Sequence, residues 1–193
     1  MQRTPIAWLA SSISHLLCPS LLAMSGSILV TVAQPAQHGW CYTGLYIALA
    51  VALPVSIFFW LHLHGKVSDL DISLRSERTK PFLAALSGAA IAWGCLVILQ
   101  APGLLQQFAI AHCATVCVAM LITLHWKISL HCAGAAGVAA ILATVVGVRG
   151  MWAITPVVMV AWSRIYLGRH TIPQTLAGTL LGALVFMFFF TRH

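Results

Sequence analysis

Long apolar runs, separated by short polar or basic stretches, recur along the whole chain. They fall at roughly residues 6–32, 41–63, 82–100, 105–125, 132–149, 151–167 and 174–190. About 20 apolar residues cross a bilayer as a helix. The alternation of a β-barrel is missing from these runs, so the backbone must satisfy its own hydrogen bonds as helices. The expected fold is all-α, a polytopic transmembrane bundle of six or seven spans. The last three runs are short, so one of them is expected to tilt or to re-enter. Arg3 precedes the first run, as in a signal peptide, but the run continues too far and no small-residue cleavage site follows it. A retained first helix is expected, and residues 1–193 are read as one integral membrane domain.

Composition sharpens this picture. Hydrophobic residues make up 61% of the chain and charged residues 7%, with a mean hydropathy of +0.96. That balance marks a multi-pass integral membrane protein, expected in the cell (inner) membrane. The pI of about 9.5 reflects scarce acids. There is no basic, soluble face, so nucleic acid is not an expected partner. The six cysteines form no CxxC pair and read as small core residues. Gly178 and Gly182 form a GxxxG that suits close helix packing, within the monomer or between subunits of a homo-oligomer. Gly134 and Gly137 suit the same packing.

In a chain this apolar, each charged residue needs a reason. Most basic residues fall into three clusters. The first holds Lys66, Arg75, Arg78 and Lys80, followed by Pro81, together with all three acids, Asp69, Asp71 and Glu77. The second is Lys127-Ile128-Ser129-Leu130-His131. The third runs from Ser163-Arg164 through Arg169-His170 to Gln174. Taken singly, each also reads as a solvated loop or an interfacial anchor, with Trp126 in an aromatic belt and Lys127 snorkelling. Two apolar runs separate each cluster from the next, so all three emerge on one side if every run crosses. Arg164 and His170 are too far apart to share a helix face and fit a helix end followed by a turn. His170 and Gln174 can share a face, and Pro173 suggests that a helix starts there. Phosphate is the ligand that best explains the three clusters, because guanidinium groups bind its oxygens as a bidentate fork.

At this point the chain resembles the type 2 phosphatidic acid phosphatase family, which also includes glucose-6-phosphatases and vanadium haloperoxidases. The family's third motif is Ser-Arg, five residues, His, three residues, Asp. Here the spacing is complete in Ser163-Arg164, His170 and Gln174, with glutamine in place of the aspartate. Its second motif, Pro-Ser-Gly-His, reads Ile128-Ser129-Leu130-His131. Its first, Lys, six residues, Arg-Pro, corresponds to the region of Arg75, Arg78, Lys80 and Pro81 without the strict spacing. The resemblance covers roughly residues 60–190 and implies a core like that family's. It implies a membrane phosphatase acting on a lipid phosphate or prenyl diphosphate, with no metal cofactor. By the same resemblance His170 attacks phosphorus, His131 protonates the leaving oxygen and then activates water, and Gln174 orients His170. Arg164 and Arg78 bind phosphate, supplemented by Arg75, Lys80 and Lys127, and Ser129 donates to a phosphate oxygen.

Two other readings compete. The same clusters could serve a catalytically inactive membrane protein that binds anionic lipid, and intramembrane polarity could serve a channel or transporter. Asp69 and Asp71 form a DxD of the kind that binds metal in prenyl transferases, but no second acidic motif follows. His15, His62, His64, His112 and His125 read as packing or interface histidines. The basic residues of the motif side favour the cytoplasm. Arg149 and Arg192 lie on the opposite side, and the family resemblance allows the outer face.

Overall fold

A computed structural model describes residues 4–68, 74, 77–147 and 152–190. Among these residues the chain is helical and without strands. The helices are α1 (Pro5–Leu16), α2 (Pro19–Ala33), α3 (Gly39–Ile47), α4 (Leu53–Leu63), α5 (Thr79–Ile98), α6 (Gly103–Thr123), α7 (Leu130–Val146), α8 (Ile154–Tyr166) and α9 (Ile172–Phe190). A π-helical turn, Ala48–Ala52, joins α3 to α4 just before Pro54. Proline has no N–H to donate, and a widened turn absorbs that loss without ending the helix.

The described residues of each apolar run are mostly helical, and proline divides the first. The run at 6–32 is two helices bent by 49° at Leu17–Cys18. Pro19 opens the second of them, because its ring cannot continue α1. Thr4 caps α1, accepting from the Ala7 N–H at 3.3 Å, and Pro5 fills the first helical position.

Among the described residues, four stretches are long and apolar enough to cross a membrane: Gly39–Leu63, Thr79–Ile98, Gly103–Thr123 and Ile172–Phe190. The bent α1–α2 pair makes a fifth if it forms one span. α7, with 17 residues, and α8, with 13, are shorter. Large apolar side chains point outward: Leu63 is 80% exposed, Ile98 81% and Trp152 82%. Such a surface belongs in lipid. The chain is a helical membrane protein.

Its contacts divide it into two compact units, one of residues 1–22 and 127–193, the other of residues 23–126. In the first unit α7 and α9 run parallel. Gly178 meets the Ser129 carbonyl, Gly182 the Ala133 carbonyl, and the Phe186 ring covers Gly137. Each pair is offset by 49 residues (178 − 129, 182 − 133, 186 − 137), so one register holds for two turns and more. The GxxxG therefore packs α9 on α7 within the monomer. A core of Leu22, Cys132, Ala135, Ala136, Val157 and Val160 lies beside this pair.

The second unit buries polar pairs between its helices. The Thr31 and Thr43 hydroxyls hydrogen bond to each other, and Tyr46 Oη bonds His112 Nδ1 at 2.7 Å. Phe108 packs edge-on against Tyr46. Helical membrane proteins satisfy buried polar groups in this way, because lipid offers no partners. At the surface, outside the α-helices, Glu77 accepts from both the N–H and the hydroxyl of exposed Ser68, each at 2.8 Å.

Candidate functional site

The second and third basic clusters meet at one end of the first unit. The N-terminus of α7, the C-terminus of α8 and the N-terminus of α9 converge there, and the Ser129 N–H donates to the Gln174 carbonyl at 3.3 Å. Ser129 caps α7, its Oγ accepting from the Cys132 N–H at 3.4 Å. It is fully buried.

Arg164 and His170 are joined by the way α8 ends. Gly168, at φ +66°, follows the C-cap Leu167 in the left-handed region. The Gly168 N–H reaches the Ile165 carbonyl at 2.9 Å, and the Arg169 N–H reaches the Arg164 carbonyl at 3.0 Å. This paired closure is the usual glycine-terminated helix end. It turns the chain back, and the His170 N–H also donates to the Arg164 carbonyl, at 3.2 Å. Six residues of separation thus become one turn. Gly168→Ala is expected to cost about 1–2 kcal/mol, because a Cβ disfavours this backbone conformation. Chemical unfolding in detergent measures the loss.

The His170 side chain is 7% exposed, and its Nδ1 lies 3.3 Å from Gln174 Oε1. The same oxygen accepts the Thr171 N–H at 3.2 Å. A backbone N–H can only donate, so the atom facing it is the amide oxygen and not the NH2 group. That oxygen can only accept, so the His170 Nδ1 that faces it is placed as a donor. One glutamine therefore sets the ring direction of His170.

Arg164 is 2% exposed, and burying a guanidinium in an apolar bundle costs several kcal/mol unless its donors are met. Its Nη1 donates to Ser14 Oγ on α1 at 2.7 Å. One residue earlier, the Ser163 hydroxyl donates to the Ala10 carbonyl at 2.6 Å. Sequence reasoning missed both α1 contacts. The available signal was weak: Ser14 stands four residues after Ala10 on a helical face, within an apolar run where a hydroxyl needs a partner.

His131 stands in the first turn of α7, half-buried, and Lys127 is half-buried in the segment leading to the Ser129 cap. Arg78 and Lys80 belong to the second unit. Arg78 is buried at the N-cap of α5, and Lys80 is exposed in its first turn. Arg75, with Asp69 and Asp71, lies outside the described residues. Among the other histidines, His15 bonds the Ser11 carbonyl, His62 the Val67 carbonyl, His64 the Trp60 carbonyl and His112 the Tyr46 hydroxyl. No protein-family model, curated protein or solved structure matches the chain.

Proposed function

We propose that this protein is an integral membrane phosphatase that hydrolyses a lipid phosphate or prenyl diphosphate through a phosphohistidine. One observation carries the reading: a histidine whose ring is oriented through Nδ1 by Gln174 sits one turn from a buried arginine, on the Ser-Arg…His spacing of the type 2 phosphatidic acid phosphatases. A structural histidine does not require a neighbouring guanidinium; a nucleophile for phosphate does, because the attacked group is anionic.

In this reading the Arg164 fork holds the non-bridging oxygens. His170 Nε2 attacks phosphorus, a P–N bond forms and the P–O bond to the lipid breaks. His131 gives a proton to the departing oxygen. Water then attacks phosphorus, His131 takes its proton, and the P–N bond breaks to free phosphate and His170. Fixed positive charge stabilises both transition states, and the chemistry calls for no metal. Ser129 and Lys127 support the phosphate. A site at a helix-bundle end lets a head group enter from water while its tail stays among apolar helices.

The same reading keeps six or seven crossings. α7 and α8 are about 26 Å and 20 Å long at 1.5 Å per residue, so they cross where the bilayer thins or the chain extends past the helix ends.

The test is phosphate release from a panel of lipid phosphates and prenyl diphosphates by the purified protein, in detergent with a chelator present. Release identifies the head group; a panel without release leaves an anionic-lipid-binding protein. Gln174→Asp is expected to raise kcat by roughly tenfold, since a carboxylate favours the imidazolium formed during the reaction where an amide only orients the ring. An unchanged or lower kcat would show that orientation alone suffices.

A further inference from the structure

The family-like core at roughly residues 60–190 leaves out α1, yet α1 supplies a hydrogen-bond acceptor to the arginine. Consecutive residues of α8 dock on one face of α1: Ser163 on the Ala10 carbonyl and Arg164 on Ser14 Oγ. All four residues are buried, Ser14 at 4% exposure. A helical serine ordinarily turns its hydroxyl back to the carbonyl four residues earlier. Here that carbonyl, on Ala10, takes the Ser163 hydroxyl, and the Ser14 oxygen faces the guanidinium instead. An arginine side chain has four rotatable bonds and binds phosphate well only when its planar fork is aimed beforehand.

We propose that Ser14 is a positioning residue for the Arg164 guanidinium, so that α1 completes the anion site. The inference rests on the reading of Arg164 as a phosphate ligand. α1 is suited to the task. Thr4 and Pro5 define its start, the break before Pro19 frees its direction from that of α2, and Trp8 and Leu16 direct its other face outward. Ser14 accepts a charge-assisted hydrogen bond, which holds the fork without neutralising it. A carboxylate in its place would hold the arginine more tightly and compete with phosphate.

The experiment compares the full chain with Ser14→Ala and Ser14→Thr in detergent. Titration with inorganic phosphate gives Kd, lipid phosphate turnover gives KM and kcat, and chemical unfolding gives the midpoint. Ser14→Ala is expected to weaken phosphate binding and raise KM by roughly tenfold, with kcat little changed and the unfolding midpoint lowered, since the buried guanidinium loses an acceptor. Ser14→Thr, which keeps the hydroxyl, is expected to restore both to within about threefold. Equal phosphate binding by Ser14→Ala and the wild type would overturn the proposal. So would a wild type that binds no phosphate, or a loss of binding that threonine does not restore. If the wild type binds phosphate but releases none from lipid, the phosphatase reading fails alone, and weakened binding in Ser14→Ala still upholds the positioning role.

Discussion

His170→Ala is expected to abolish phosphate release, on the order of 10⁴-fold or more, while inorganic phosphate still binds. The magnitude follows from what is removed. A covalent route replaces one difficult displacement by two easier ones, and without Nε2 neither half exists. His170 is tied to the site by its backbone N–H on the Arg164 carbonyl, and that bond survives loss of the ring. The turn, the guanidinium and the Ser14 contact therefore persist in the variant, which separates catalysis from folding. A phosphoenzyme trapped by acid-sensitive, alkali-stable labelling should form in the wild type and be absent from the variant. Residual turnover above a few per cent in His170→Ala would remove the histidine from the nucleophile's role. Loss of phosphate binding in parallel would make it a ligand.

Gly182→Ala is expected to produce the largest loss of stability, about 3 kcal/mol, at the upper end of overpacking costs. A methyl group at Gly182 would occupy the position of the Ala133 backbone carbonyl. Backbone cannot rotate away as a flexible side chain can, so α9 must move off α7. Gly178 meets the Ser129 carbonyl in the same register, so the displacement reaches the α7 cap and the Ser129–Gln174 backbone bond. Loss of fold and loss of site are thus coupled. Unfolding by denaturing detergent, read by far-ultraviolet circular dichroism, measures the first. Phosphate titration at conditions where the variant remains folded measures the second. An unfolding midpoint equal to the wild type's would show that the two helices part without cost. In that case the GxxxG would not hold this pair together.

The helices were legible because lipid leaves the backbone no alternative, and apolar runs therefore mark where helices lie. The turn between Arg164 and His170 was legible in outline: a spacing too long for one helix face, then a proline, implies an end and a new start. The 49° bend in the first run followed from Pro19, a local signal that hydropathy alone overrode. The α1 contacts were not legible, since Ser14 and Arg164 are 150 residues apart and no periodicity links them.

By itself, the sequence determined the all-helical membrane class, the start of α9 near Pro173, and the closeness of Gly178 and Gly182 to some neighbouring helix. These depend on local rules: hydropathy, proline sterics and the absence of a side chain. Only the tertiary structure decided which helix that neighbour is, that α7 and α9 run parallel in one register, and that α1 reaches Arg164. Those facts depend on which surfaces meet. A sequence states the chemistry of each surface, but many pairings of apolar faces have similar energies in lipid. Backbone approach at glycine and a few buried hydroxyls select among them.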